Sequence, residues 1–244
     1  MRIAIVSDIH GNLTALEAVV ADLRRRAPDL ILQGGDLAAS GARPAEVVDR
    51  IRELGWAGVC GNTDEMLWAP ERLSDLARKH PQQQGLWRVV QEIAARTREW
   101  LGEERINWLQ SIPREVRRHP VALVHASPGD LWVAPSFEAS DAELGAAYRS
   151  LAAPVVAYGH IHRPFVRKVG SQIVANTGSV SLSHDSDPRA SYLLIDDLEV
   201  TVQRVEYDVE REAAALLDSG LPQAEWLCAL LRAAQPLPLP EPSD

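Results

Sequence analysis

The sequence is poor in the features that mark several classes of protein. It has two cysteines, Cys60 and Cys228, in 244 residues, too few for a disulfide framework and without the spacing of a zinc knuckle. No run approaches the 18 or more apolar residues of a membrane-spanning helix. The apolar stretch before Asp8 is too short for a secretory signal peptide. These absences predict a cytoplasmic protein that is not attached to a membrane.

Basic residues are fewer than acidic ones. The chain has 25 Lys and Arg against 34 Asp and Glu, so its formal net charge is −9. Proteins that bind nucleic-acid backbones carry a basic surface, and general nucleic-acid binding is therefore not expected. A small phosphate-containing substrate is compatible with this charge, because bound divalent cations reverse the local field.

Strand and helix patterns alternate at the start of the chain. Apolar runs at 2–7, 29–33 and 56–60 predict strands, and the segments 12–26 and 44–54 between them have helical periodicity. This alternation predicts an α/β fold with a parallel sheet and right-handed crossovers.

The later part of the chain predicts antiparallel strands. One hairpin is expected to turn at Gly170 and a second around Asp196 and Asp197, because each turn lies between two strand-like runs. Residues 208–234 have a helical pattern, and the proline-rich stretch 236–244 is predicted to be disordered. A chain of this length is expected to form a single domain, here over 1–235.

The segment 66–112 is helical in pattern and holds four of the seven tryptophans, Trp68, Trp87, Trp100 and Trp108. Two interpretations are open. The segment is an inserted helical cap, or it is an outer layer of helices whose indoles pack into the core, as aromatic residues at helical spacing usually do.

Potential metal ligands follow directly after five short apolar runs. In an open α/β sheet, residues at the carboxyl ends of strands converge on one place. Carboxylate, amide and imidazole groups together suit borderline and hard divalent metals rather than a thiolate site. The residues are Asp8, His10, Asp36, Asn62, His125, His160 and His162.

Seven ligands are more than one ion needs. If Asp36 bridges, they divide into one group of Asp8, His10, Asp36 and His162 and another of Asp36, Asn62, His125 and His160. Taken singly, each residue has a structural explanation as a cap, a turn residue or a buried histidine. Taken together they predict a two-metal hydrolase, in which paired ions acidify a bridging water and stabilise an in-line displacement.

The same residues lie in motifs that resemble those of the calcineurin-like metallophosphoesterase superfamily. The motifs are DIH at 8–10, GD at 35–36, GN at 61–62, HASP at 125–128 and GHIH at 159–162. The stretches 176–196 and 206–222 also resemble bacterial, YfcE-like predicted phosphodiesterases. The resemblance implies a four-layer α/β/β/α sandwich of two mixed β-sheets, two divalent ions such as Mn, Fe, Ni or Zn, and hydrolysis of phosphate esters.

One departure from the family's pattern concerns the leaving group. Many members have a histidine after the Gly-Asn pair, whereas this chain has Thr63 followed by Asp64. A threonine hydroxyl is a poor general acid at neutral pH. Relatives in the YfcE-like branch often carry cysteine there and tend toward phosphodiesters, so the resemblance favours a phosphodiesterase. Two interpretations of Asp64 are open. It orients water or substrate, or it caps the helix at Glu65.

Three further residues are candidates for substrate phosphate. Asn12 opens a helix, where backbone N–H groups favour an anion, although capping alone accounts for an asparagine there. Arg163 follows the GHIH motif. His184 is placed where the resembling loops often carry arginine, and it either contacts phosphate when protonated or lies on the surface.

Other functions use the same ligands. A phosphomonoesterase, a phosphoprotein phosphatase or a dinucleoside polyphosphate hydrolase would need the same two ions. A binding scaffold that keeps the fold without turnover is the alternative of another class. The complete ligand set opposes the scaffold, and the missing acid histidine favours it. The sequence leaves the oligomeric state open.

Overall fold

The computed structural model of the chain describes residues 1–239, in which two five-stranded sheets lie between helices. In chain order the strands are β1 (Arg2–Val6), β2 (Leu30–Gln33), β3 (Ala57–Gly58), β4 (Glu115–Arg118), β5 (Val121–Val124), β6 (Val155–Tyr158), β7 (Phe165–Val169), β8 (Gln172–Asn176), β9 (Ala190–Asp196) and β10 (Glu199–Val205). The α-helices are α1 (Leu13–Arg26), α2 (Pro44–Leu54), α3 (Asn62–Trp68), α4 (Glu71–Lys79), α5 (Gln84–Ser111), α6 (Asp141–Tyr148), α7 (Val209–Ser219) and α8 (Ala224–Ala233). Short 3-10 helices span Pro81–Gln83 and Arg149–Leu151.

Side chains of β1 alternate between the two faces of the first sheet, as the twofold period of a strand requires. Ile3 and Ile5 face the second sheet and share a buried cluster with Leu123 of β5. Ala4 and Val6 belong to a different cluster, which contains the apolar faces of α1 and α2. The strand is apolar throughout because helices cover one face and the second sheet covers the other.

The second sheet is covered on its outer face by α6. Val124 and Val156 pack there with Leu144 and Tyr148 of that helix. The layers therefore run from helices through two sheets to a helix. This arrangement confirms the predicted four-layer α/β/β/α sandwich.

Both sheets are mixed, and each contains three adjacent parallel strands. The first has the order β10-β9-β1-β2-β3, in which β1, β2 and β3 are parallel. The second has the order β4-β5-β6-β8-β7, in which β5, β6 and β8 are parallel. The two predicted hairpins are β7–β8, which turns at Gly170, and β9–β10, which turns at Asp197. The parallel strands place their carboxyl ends at one edge of each sheet.

The helical segment after β3 forms part of the outer layer of the first sheet. It begins at Asn62, earlier than the expected residue 66, and α5 packs against α2 and α3. Trp68, Trp87 and Trp108 are half-buried against the cluster that contains α1 and α2, and Trp100 packs on the cluster of the C-terminal helices. The tryptophans therefore pack as the outer-layer interpretation expects, and the long helix α5 confirms the predicted helical insertion.

The C-terminal helices pack on one another and on α5. Cys228 of α8, Leu216 of α7 and Val89 of α5 share one buried cluster. Leu237 and Leu239 contact the same cluster, so the first residues of the predicted disordered tail lie against the protein. Residues 240–244 lie outside the described residues. Within residues 1–239 no helix has the length and apolarity needed to span a bilayer.

A buried carboxylate joins α1 to the first sheet. Asp22 accepts hydrogen bonds from the Tyr192 hydroxyl of β9 (2.7 Å) and from Arg26 (2.7 Å) and Arg25 (2.8 Å) on its own helix. Burial opposes ionisation, but these donors prevail and lower the pKa of Asp22 below its usual 3.8. The ionised form therefore stabilises the fold above that pH, and the contribution disappears as the pH falls through the lowered pKa.

We expect Asp22→Asn to lower the free energy of unfolding by about 1–2 kcal/mol at pH 7, because hydrogen bonds to a buried charge are lost or weakened. The difference from wild type should close as the pH falls below about 4. Chemical denaturation at pH 7 and at pH 3 measures both quantities. Asp196→Asn is the matched control, since its ion pair with Arg2 is exposed and contributes little. A difference that persists unchanged at pH 3 would contradict the role given to the Asp22 charge.

Candidate metal centre

All seven predicted ligands meet at the edge where the two sheets place the carboxyl ends of β1, β2, β3, β5 and β6. Their side chains and one backbone N–H form a closed ring, in which each ligand residue is 2.8–3.7 Å from the next. The order around the ring is Asp8, His162, His10, Asp36, His125, Asn62 and His160. Except for His160, which is half-buried, all are buried.

Five of the seven ligands have a left-handed backbone. Their φ angles are +57° at Asp8, +50° at His10, +54° at Asp36, +66° at His160 and +55° at His162. This conformation costs a residue with a side chain roughly 1–2 kcal/mol, and such strain persists only where the surroundings fix it, often at functional sites. Here the Asp8 N–H donates to the Gly35 carbonyl and the His10 N–H to the Asp36 carbonyl, both at 3.0 Å.

The first group consists of Asp8, His10, Asp36 and His162. The ligand atoms of these four residues all lie within 4.8 Å of one another. His162 Nε2 is 3.3 Å from Asp8 Oδ1 and 3.2 Å from His10 Nε2, and His10 Nε2 is 3.7 Å from Asp36 Oδ2. Two atoms that are each about 2.1 Å from one ion lie roughly 3.0–3.5 Å apart. The spacing of the first group therefore fits ligation of a single metal.

The tautomers of two histidines leave lone pairs directed at this centre. His10 Nδ1 bonds the Ala39 carbonyl at 2.9 Å, and His162 Nδ1 bonds the Leu182 carbonyl at 2.7 Å. A carbonyl oxygen only accepts, so each Nδ1 carries the proton and each Nε2 is free to act as an acceptor. Two acceptors that face each other at 3.2 Å need a proton or a cation between them. Orientation of the ring through its second nitrogen is the usual arrangement of metal-binding histidines.

The second group consists of Asp36, Asn62, His125 and His160. Asn62 Oδ1 is 2.9 Å from His125 Nε2 and 2.8 Å from His160 Nδ1. His125 Nε2 is also 3.5 Å from Asp36 Oδ1, and its Nδ1 donates to the Gly34 carbonyl at 2.8 Å. Asp36 thus directs one oxygen toward each group, Oδ2 toward His10 and Oδ1 toward His125. These distances bring a second set of oxygen and nitrogen donors together beside the first group.

Burial and the charges of neighbouring groups shift the pKa values of the candidate ligands in opposite directions. Burial lowers the pKa of His10 to about 4 and raises the pKa of Asp36. Burial also disfavours charge at His162 and His125, but the carboxylates of Asp8 and Asp36 prevail and raise the pKa of both rings. The raised pKa of these two rings favours a proton on the nitrogen atoms that a cation would use, so metal binding competes with protonation.

Two of the motifs require glycine because the backbone there lies very close to a buried carboxylate. A Cβ atom at Gly61 would lie 2.0 Å from Asp36 Oδ1, and one at Gly159 would lie 2.3 Å from Asp8 Oδ2. Either distance is far inside van der Waals contact. The glycines that precede Asn62 and His160 therefore let these loops approach the buried carboxylates.

Asp64 and Thr63 lie behind Asp36. The Asp64 carboxylate accepts hydrogen bonds from the N–H groups of Asp36 (2.9 Å), Leu37 (2.9 Å) and Gly61 (3.0 Å). The bond to Gly61 is the capping contact of α3. Thr63 donates its N–H to Asp36 Oδ1 at 2.9 Å, and its hydroxyl is buried without a hydrogen-bond partner in the described part of the chain. Both residues hold the Asp36 loop through backbone bonds.

The three predicted phosphate contacts have partners within the protein. Asn12 is buried, caps α1 through the Ala15 N–H (2.8 Å) and donates its amide to Ser181 Oγ (3.1 Å). Arg163 pairs with Glu138 at 2.8 Å and stacks on Phe137, with Cζ 4.1 Å from the ring centroid.

His184 stacks on His162 with ring centroids 4.7 Å apart. Burial and the neighbouring His162 lower the pKa of His184 to about 3. The ring is therefore neutral at physiological pH, and the protonated phosphate contact considered from the sequence is not the state that the structure favours.

Sequence reasoning missed the groups that orient the ligands. The carbonyls of Ala39, Gly34 and Leu182 fix three of the histidine rings, but a carbonyl has no sequence signature. The pair formed by Glu65 and Trp132, beside the second group, was also missed. The only signal there was an acidic residue three positions after Asn62.

Comparison with known proteins gives a consistent result. Residues 1–198 match the family model described as the calcineurin-like phosphoesterase superfamily domain. An uncharacterised protein of Methanocaldococcus jannaschii is 29% identical over 250 residues, covering 92% of this chain and 95% of its own length.

Solved structures resemble the chain over nearly its whole length. A metallophosphoesterase from Sphaerobacter thermophilus has a TM-score of 0.76 and 29% identity, with 96% of this chain and 100% of that chain covered. A hypothetical protein from Pyrococcus horikoshii has a TM-score of 0.81 and 18% identity, with 96% and 98% covered. The likeness therefore includes the C-terminal helices beyond residue 198.

We expect Asp64→Asn to weaken metal binding by about 10–100-fold, since loss of an outer hydrogen-bonding partner has this effect at other metal sites. An asparagine keeps one acceptor oxygen where the carboxylate uses two, so at least one N–H of the Asp36 loop loses its partner. Titration of the metal-free protein with Mn²⁺ measures the change. Asp197→Asn, at an exposed turn, is the control. Equal Mn²⁺ affinity in Asp64→Asn and the control would refute the assigned role.

Proposed function

The chain belongs to the calcineurin-like phosphoesterase superfamily, and we propose that it is a phosphodiesterase that works with two divalent cations. The observation that carries the proposal is the placement of Asp36, whose two oxygens face the two ligand groups. When bound, two such ions acidify a water between them and neutralise the phosphate oxygens during displacement. Mn, Fe, Ni and Zn all suit a mixed carboxylate, amide and imidazole set.

In this proposal the residues of the site form two ligand groups that share Asp36. Asp8, His10 and His162 complete the first group, and Asn62, His125 and His160 complete the second. Asn62 contributes a neutral oxygen, which leaves more positive charge on its side of the site than a carboxylate would. The carbonyls behind His10, His125 and His162 accept hydrogen bonds from Nδ1 and so aim the Nε2 atom of each ring inward.

The preference for diesters rests on what surrounds the ligand groups. Thr63 cannot protonate a departing oxygen efficiently at neutral pH, and both oxygens of Asp64 are occupied by backbone N–H groups. Arg163 is paired with Glu138. A monoester carries more negative charge than a diester and needs more positive charge in the site. The placement of these residues therefore supports a monoanionic diester or an ester with a good leaving group.

A scaffold without turnover is the second candidate, favoured by the absence of a general acid at residue 63. The strained backbone at five of the candidate ligands opposes it, because such strain clusters at functional sites. Monoesters, phosphoproteins and dinucleoside polyphosphates are the alternative substrates of an enzyme with the same ligands.

We expect the metal-free protein to be inactive and to cleave bis(p-nitrophenyl) phosphate in preference to p-nitrophenyl phosphate once Mn²⁺, Ni²⁺ or Zn²⁺ is added. Asp36→Asn should abolish this activity, because its neutral side chain has one oxygen instead of two to share between the groups. Release of p-nitrophenolate measures both. Failure of every metal to support cleavage, despite stoichiometric binding, would favour the scaffold.

We also expect Thr63→His to raise the ratio of monoester to diester activity by about tenfold, which is less than the roughly 100–10,000-fold that a positioned general acid contributes. Thr63→Gln is the matched control, because glutamine is of similar size but cannot donate an acidic proton. The ratio of the two kcat/KM values is the measurement. An unchanged ratio would show that residue 63 does not reach the leaving group.

A further inference from the structure

The two carbonyls that orient the histidines of the first group belong to loops. Ala39, which accepts from His10 Nδ1 at 2.9 Å, lies between β2 and α2. Leu182, which accepts from His162 Nδ1 at 2.7 Å, lies between β8 and β9. A ligand on a loop keeps its geometry only when the surrounding protein supports that loop. The support of these two loops therefore bears on the first group.

The loop of Ala39 is bonded to the C-terminal helix α7. Arg43, at the end of this loop, donates its backbone N–H to the Gly11 carbonyl at 3.1 Å, directly after His10. The guanidinium of Arg43 pairs with Glu212 of α7. The segment 39–43 thus contacts the His10 loop at both of its ends, and Glu212 holds the end at Arg43.

Glu212 is buried, with only 1% of the residue exposed. A buried charge is costly unless it is paired, and apolar residues often replace a buried ion pair without loss of stability. Its neighbour one turn later on the same helix, Leu216, is apolar and buried. Arg43 also donates to Thr14 Oγ1 of α1 at 2.6 Å. Position 212 therefore has a directional contact that the packing of α7 does not require.

The loop of Leu182 is bonded to the end of α8. The Ser186 N–H donates to the Ala234 carbonyl at 2.9 Å, and the Gln235 amide donates to Ser186 Oγ at 2.7 Å. The side chain of Leu182 is buried in the apolar cluster of the C-terminal helices. Both loops that orient histidines of the first group therefore rest on α7 and α8.

The second group has a different support. The carbonyl that orients His125 belongs to Gly34, directly after β2. Within residues 1–239, no hydrogen bond joins α7 or α8 to Gly34, Asn62, His125 or His160. A change at the contact between α7 and the Ala39 loop is therefore expected to affect one group and to spare the other.

We propose that the C-terminal helices position the first ligand group, and that Glu212 is the positioning residue that acts on His10 through Arg43. The inference rests on the two-cation function proposed above. It gives a role in the site to helices that lie beyond the matched family domain of residues 1–198.

The test is titration of the metal-free protein with Mn²⁺, which resolves the number of ions and the affinity of each. Wild type should bind two. Asn62→Ala removes a ligand of the second group alone, so the binding step that it weakens identifies that group. Glu212→Leu is close in size but cannot accept from Arg43, and it should weaken the other step by about 10–100-fold.

Further variants test the route. Arg43→Met should have the same effect as Glu212→Leu, and it carries the test if Glu212→Leu does not fold. If Glu212 acts through Arg43, the double variant should weaken the ion no more than the larger single loss. Leu182→Ala, which removes an apolar contact with the C-terminal helices, should weaken the same step.

Glu210→Leu is the matched control. Glu210 lies on the same helix, but its ion pair with Arg232 of α8 is exposed, so this variant should leave both affinities unchanged. Thermal unfolding of each metal-free variant shows whether it is folded.

The contrary outcomes are distinct. Unchanged affinity for the first ion, or equal weakening of both ions, in folded Glu212→Leu or Arg43→Met would overturn the inference, and so would additive losses in the double variant. A wild-type protein that binds a single ion would overturn the two-cation function. The inference would then stand if Glu212→Leu weakened that ion relative to Glu210→Leu, and fall if it did not.

Discussion

Two imidazole nitrogens that face each other across 3.2 Å are the constraint on which the site depends. Both Nδ1 atoms are committed to backbone carbonyls, so His10 and His162 present lone pairs to one another inside the protein. Two buried lone pairs that face each other are unfavourable unless a positive charge lies between them. Asp8 and Asp36 add two carboxylates to the same space. One cation would stabilise both histidines and both carboxylates, because each of these groups can donate a lone pair to it.

The fold brings these facing lone pairs and carboxylates together and holds them in place. Two mixed sheets pack face to face, and the carboxyl ends of their parallel strands bring five loops together. The loops after β1, β2 and β6 are strained at their ligands. Gly61 and Gly159 let their loops approach the carboxylates of Asp36 and Asp8 closely. The roughly 1–2 kcal/mol of strain at each left-handed ligand is offset by the hydrogen bonds between loops and, when present, by the bound ions.

The convergence of the candidate ligands was predictable because ligand type and strand end coincide in the sequence. Asp8, Asp36 and His125 each follow a run apolar enough to be a strand covered on both faces, and topology brings such ends together. The hairpins at Gly170 and Asp197 were equally predictable, because turn residues lie there between two strand-like runs.

The surroundings of the ligands were not predictable from the sequence. Asn12 and Arg163 are of the types that bind phosphate, but which groups they meet depends on tertiary contacts with Ser181 and Glu138. The hydrogen bond between Trp132 and Glu65 joins residues 67 positions apart, so nothing in the sequence indicated it.

In the proposed function Asp36 lies between two cations. Anomalous diffraction from crystals grown with Mn²⁺ or Zn²⁺ tests this placement directly. Two peaks about 3.5–4 Å apart are expected, one bounded by Asp8, His10 and His162 and the other by Asn62, His125 and His160, with Asp36 touching both. A single peak that Asp36 does not share, or ions bound only elsewhere on the protein, would contradict it.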